Sequence, residues 1–220
     1  MKNKLINLGI ILLFVVGLTL VFINPIRDYF VKRSADKLSL DHYTAEQLKE
    51  NEQQQNDVDF EFEAVQSLSI TDVLKAQASS DNYPVIGSIV VPSVDMEVPI
   101  LKGVSNSALA VGAGTMKPDQ KLGVGNYALA AHYFEGRDVL FGPLYNAKLG
   151  DTIYLTDLDQ VYEYRINHKE TIAATDVDVI NDVPGQTKLT LITCADFGYN
   201  RLAVEAEFVK AVPFKEMTKK

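Results

Sequence analysis

The chain holds one cysteine, Cys194, and three histidines. A single thiol closes no intramolecular disulfide, so Cys194 is a packed small hydrophobe, an intermolecular link or a reactive group. It ends the run Thr190-Leu-Ile-Thr-Cys194, where the segment Ala195-Asp-Phe-Gly-Tyr-Asn200 begins and Arg201 opens the next apolar run. Loop edges are where a rigid scaffold presents reactive groups. A guanidinium at the mouth of the neighbouring strand can stabilise a thiolate or a developing oxyanion. Acyl transfer also needs a proton carrier. His42 lies in a polar segment and His168 in the charged run Asn167-His-Lys-Glu170, so both read as solvated. His132 ends an apolar run, Ala128-Leu-Ala-Ala-His132. It is either a satisfied structural histidine or that carrier.

The elements that must position these groups are short and β-rich. From Asn82 onward, Val85–Val91, Val94–Ile100, Asn126–His132, Thr152–Thr156, Val161–Ile166, Lys188–Cys194 and Arg201–Val209 read as strands. Asp157-Leu-Asp-Gln160 reads as a hairpin loop, and only Asn106–Ala113 and Pro143–Ala147 as short helix. Seven or eight strands without a βαβ rhythm predict an all-β closed barrel or sandwich. The last strand alternates, with Leu202, Val204, Ala206 and Phe208 on one face and Arg201, Ala203, Glu205 and Glu207 on the other.

Upstream the texture differs. Residues 5–23 carry no charge. At about 1.5 Å per residue they reach about 28 Å, close to a hydrocarbon core of about 30 Å. Asn24-Pro-Ile-Arg27 follows, with no small-residue cleavage pattern. The expectation is an uncleaved N-terminal transmembrane helix within residues 1–33. Lys and Arg flank both ends, so charge does not set its orientation. Residues 34–81 are polar and acidic and read as a partly helical spacer, with an amphipathic stretch over 60–78. The domain proper is expected over 82–215. Hydrophobic residues at 47% and charged residues at 23% exclude a wholly disordered chain. The net charge of −8 falls unevenly, +4 on residues 1–33 and −12 on the rest. That acidic body disfavours nucleic acid as a partner.

Thr190-Leu-Ile-Thr-Cys194 resembles the TLxTC signature of sortases, membrane-anchored cysteine transpeptidases of Gram-positive bacteria. Arg201 matches their signature arginine, and Leu129-Ala-Ala-His132 their histidine after small residues. The resemblance covers residues 82–210, and the order anchor, spacer, barrel is similar to that of class A, the housekeeping type. Ala131 stands where the family commonly has Gly. The Phe197-Gly-Tyr-Asn200 loop is as similar to pilin-polymerising sortases, but residues 34–80 carry no clear lid motif.

The resemblance implies an eight-stranded β-barrel and a two-step acyl transfer. Cys194 is the implied nucleophile on the Thr–Gly bond of an LPXTG-type signal in a surface protein. Arg201 is the implied holder of substrate and oxyanion, and His132 the implied acid and base. Thr193 is expected to assist Arg201, while Ala130, Val177, Val179 and Ile180 either line the signal's apolar pocket or are barrel core. The implied acceptor is a peptidoglycan-precursor amine, with the catalytic domain outside the cell membrane. A pilin-polymerising sortase, a membrane-tethered cysteine protease and a non-catalytic binding module remain as alternatives. Some class A sortases use calcium held by acids in the loops before the His and Cys strands. Here the first loop has only Asp119 beside Lys117 and Lys121, and the second has Asp176, Asp178 and Asp182. The expectation is therefore no metal and no cofactor.

Overall fold

The apolar runs close on themselves. A computed structural model describes residues 2–53, 83–133 and 138–217. Its strands are β1 (Val85–Val91), β2 (Met96–Leu101), β3 (Ala113–Thr115), β4 (Asn126–Ala130), β5 (Thr152–Thr156), β6 (Gln160–Ala173), β7 (Lys188–Ala195) and β8 (Asn200–Pro213). They hydrogen-bond in the order β1-β2-β3-β4-β7-β8-β6-β5, closed into a barrel. The pairs β2–β3 and β4–β7 are parallel, and the other pairs antiparallel. Ile89, Ile100, Leu129, Ile153, Leu155, Tyr164, Leu191 and Val204 fill the interior and are fully buried. Asp157 caps the β5–β6 hairpin, its Oδ1 accepting from the Asp159 and Gln160 N–H groups at 3.0 and 2.8 Å.

Two expectations about the barrel change. Ala113 was expected at a helix end, but the helix α3 covers only Asn106–Leu109, and Ala113–Thr115 forms a strand. A Cβ on Gly114 would come within 2.2 Å of the Gly103 carbonyl oxygen, so this close backbone approach requires glycine. The alternation of β8 also fails at its start. Arg201 and Ala203 are buried along with Leu202 and Val204, because both faces are covered there. Leu202 belongs to the interior cluster, and Ala203 to a second cluster with Val104, Leu109, Ala130, Ile172 and Ile192.

At the N-terminus, α1 (Lys2–Lys37) is one continuous helix with Pro25 inside it. Among the described residues, no helix is long and apolar enough to cross a membrane. The end of α1 packs on the barrel, Val31 joining the interior cluster and Leu38 a cluster with Val85 and Leu101. Helix α2 (Ala45–Gln53) starts with a reciprocal cap between Thr44 and Gln47, at 2.9 and 3.3 Å. It buries Leu48 in the same cluster. Asn51 Nδ2 donates to the Val85 carbonyl at 2.8 Å, and Lys102 Nζ to the Glu52 carbonyl. The first part of the expected spacer is therefore docked on β1. The amphipathic stretch expected over 60–78 lies outside the described residues.

Candidate active site

The antiparallel register of β7 and β8 sets Cys194 directly opposite Arg201. The turn between them, Asp196–Gly198, is tight, with positive φ at Asp196 and Gly198. Arg201 is 7% exposed, and its Nη1 donates to the Gly198 and Asn200 carbonyls, each at 2.8 Å. The turn thus fixes the guanidinium plane. Arg201 Nε is buried and donates to no acceptor among the described residues. A cationic donor left open in a buried position is suited to a carbonyl or oxyanion that arrives with substrate.

The parallel pair β4–β7 brings in the histidine. Its register runs to Ala130 opposite Ile192, and the Ala131 N–H donates to the Ile192 carbonyl at 3.2 Å. His132 follows β4 as Cys194 follows Ile192 on β7, so parallel pairing carries both to the same end of the barrel. His132 is 5% exposed. Leu109, Ala130, His132, Ile192, Cys194 and Arg201 line one narrow cleft of about 10 Å³, room for about one water. The three residues expected to carry the chemistry meet there.

The cleft's supports are polar groups inside apolar strands. Thr190 Oγ1 donates to Asn126 Oδ1 at 2.8 Å, and Asn126 Nδ2 donates to the Val179 and Asn181 carbonyls at 3.0 and 3.2 Å. This buried pair ties β4, β7 and the β6–β7 loop together, a role the sequence reading missed. Its signal was a polar residue at the start of each of two apolar runs. Thr193 Oγ1 donates to the Ala131 carbonyl at 2.7 Å, so its proton braces the His132 segment rather than reaching toward Arg201. Val179 and Ile180 pack against the cluster holding Ala130 and Ile192. Val177 stands apart, 66% exposed.

Electrostatics at the thiol run in two directions. Burial pushes the Cys194 thiol up, while the Arg201 charge pulls it down, and burial is the larger effect. The resting thiol, partly buried, is therefore held back from ionising. On the neighbouring loops, Lys117 Nζ contacts Asp182 Oδ1 at 2.7 Å, and the Asn126 N–H donates to the same oxygen at 2.8 Å. Both hold the Asp182 carboxyl below its usual range. The ammonium is thus paired with Asp182, one of the three acids of the second loop. Gly125, at positive φ, admits Asp182 this close, since a Cβ there would lie 2.8 Å from Oδ1.

A thiol, a fixed guanidinium and a buried imidazole thus lie together at one barrel mouth. The sortase domain model matches residues 89–209. Sortase A of Streptococcus agalactiae is 40% identical over 211 residues, covering 93% of this chain and 85% of that protein. Sortase A of Listeria monocytogenes is 41% identical over 184 residues, covering 84% and 82%. The solved structure of Listeria monocytogenes sortase A superposes with a TM-score of 0.57 at 42% identity, over 59% of this chain and 90% of that one. The chain belongs to the sortase family. Its relatives place it in class A, and it is an enzyme, a transpeptidase.

Proposed function

We propose that this enzyme cleaves an LPXTG-type sorting signal between Thr and Gly and joins the Thr carbonyl to the amine of a cell-wall precursor. The Cys194 thiolate attacks the Thr carbonyl carbon, and the Arg201 guanidinium donates to the resulting oxyanion. His132 gives its proton to the departing Gly amine, leaving a thioester between Thr and Cys194. The incoming amine loses a proton to His132 and attacks that thioester. The new amide forms as the C–S bond breaks and the thiolate returns.

What supports this reading is the cross-strand placement of Cys194 and Arg201, with a buried Nε that meets no acceptor among the described residues. Ala130, Val179 and Ile180, which share one apolar cluster, are the proposed wall for the signal's Leu and Pro, and Thr193 braces the His132 segment beside it, while Val177 stands apart. The uncharged run 5–23 is proposed as a single-pass membrane anchor, with the barrel on the outer side. The docked end of α1 then holds the catalytic domain close to the membrane.

An LPXTG peptide incubated with enzyme and a primary amine tests the reaction. The expected product is the peptide cut after Thr and amidated by the amine, absent with Cys194→Ala. Water as the only acceptor, at saturating amine, would turn the reading toward a protease. Membrane fractionation and protease shaving of whole cells test the anchor and its orientation.

A further inference from the structure

Beyond the catalytic three, one side chain touches both strands' ends. Tyr145 lies in the tight helical turn Gly142–Asn146, and its hydroxyl donates to the Cys194 carbonyl at 2.8 Å. Its ring stacks on Tyr133, with centroids 4.4 Å apart and planes at 29°. Tyr133 directly follows His132. The turn itself is held from β6, where Lys169 Nζ donates to the Tyr145 and Ala147 carbonyls, each at 2.8 Å. Lys169 and the turn are thus locked through backbone groups, and Tyr145 carries that rigidity to the site.

We propose that Tyr145 is a positioning residue, fixing the backbone of the nucleophile against the segment that carries His132, with Lys169 as the anchor of its turn. The β4–β7 register runs to Ala130 opposite Ile192, and the Ala131 N–H donates to the Ile192 carbonyl, just before His132 and Cys194. At that end of the two strands the Tyr145 hydroxyl bonds the Cys194 carbonyl and its ring stacks on Tyr133. Tyr145 is 37% exposed, so its hydroxyl contributes little to the core. A residue kept at the rim with both contacts satisfied serves placement.

The consequence reaches the thiol. Arg201 from β8, His132 after β4 and Tyr145 from the turn stand around Cys194, and Asp196 in the following loop is occupied by Asn200 Nδ2 at 2.6 Å. A loosened Cys194 backbone weakens the influence of Arg201 while burial persists. Ionisation at neutral pH then becomes harder. Lys169, whose own pKa is lowered by burial, is a donor to carbonyls in either charge state.

The inference rests on Cys194 being the nucleophile, as proposed above, and is tested in the full chain by Tyr145→Phe and Lys169→Met. Tyr145→Phe keeps the ring stack and removes one hydrogen bond. The expected result is a kcat about three- to tenfold lower in peptide transfer, with KM within about twofold. Iodoacetamide should alkylate Cys194 more slowly at neutral pH by a similar factor, with rates converging at alkaline pH where every thiol is ionised. Lys169→Met should shift both readouts in the same direction. The alkylation needs no sorting signal, so it stands even if the peptide substrate is wrong. Unchanged kcat and alkylation in Tyr145→Phe would overturn the proposal. So would a loss of activity that follows thermal stability while the alkylation profile stays in place. If Lys169→Met does not fold, Tyr145→Phe alone decides.

Discussion

Replacing Arg201 by Lys keeps the charge opposite Cys194 and removes the planar fork. In the structure one end of that fork, Nη1, is committed to the Gly198 and Asn200 carbonyls, while Nε meets no acceptor among the described residues. A lysine has one ammonium on a flexible stem, so it can hold the loop carbonyls or turn to substrate. It cannot keep both in a fixed plane. The loss is then one hydrogen bond from a charged donor, about 1.5–3 kcal/mol. In kcat/KM that is about 10- to 150-fold. Steady-state peptide transfer measures it, with a melting curve to show that the barrel persists. A loss below about tenfold would refute the fork argument and leave Arg201 as a charge alone. A deficit matched by a collapse of the melting temperature would assign Arg201 to the β7–β8 turn instead.

Other outcomes follow from the same geometry. Cys194→Ala should abolish transfer and leave the fold intact, because the residue is only partly buried, as kinetics and a melting curve will show. Since burial raises the thiol and Arg201 opposes it, alkylation of Cys194 should reach half its maximal rate at a higher pH than for a free cysteine. Arg201→Gln should move that midpoint further up; a downward move contradicts the assigned sign. Transfer should proceed equally in chelator and in millimolar calcium, because Lys117 already engages Asp182. Several-fold activation by calcium would show that the ammonium gives way. Leu48→Ala should cost about 2–5 kcal/mol in chemical denaturation if α2 unfolds with the barrel, and almost nothing if it detaches first.

The strands that carry these residues were legible because they are apolar and end on unusual residues. Cys194 and His132 each close a run of small or aliphatic side chains, and Arg201 opens the next. Pairing, however, is a long-range property. That β4 and β7 run parallel, which sets His132 beside Cys194, has no local signal in either strand. The three residues of β3 are too few to show a period, and its first residue, Ala113, reads in sequence as the end of a helix. Docking of α2 rests on Leu48 amid charged and amide residues, too little apolar surface to distinguish a docked helix from a solvated one. Thr193 was assigned by its neighbour in sequence, yet its hydroxyl crosses to the adjacent strand at Ala131. Val177 was grouped with Val179 and Ile180 as apolar, but the loop turns it outward. Tyr145 gave no signal, since only the fold brings it to Cys194.

The central claim is that Cys194 carries the acyl group. Intact-mass spectrometry of the enzyme mixed with an LPXTG peptide, quenched in acid before amine is added, measures this directly. The account predicts an adduct equal to the peptide through Thr, localised to Cys194, lost on adding hydroxylamine and never formed by Cys194→Ala. Turnover of the peptide by the intact enzyme with no such adduct, or an adduct on Cys194→Ala, would contradict it.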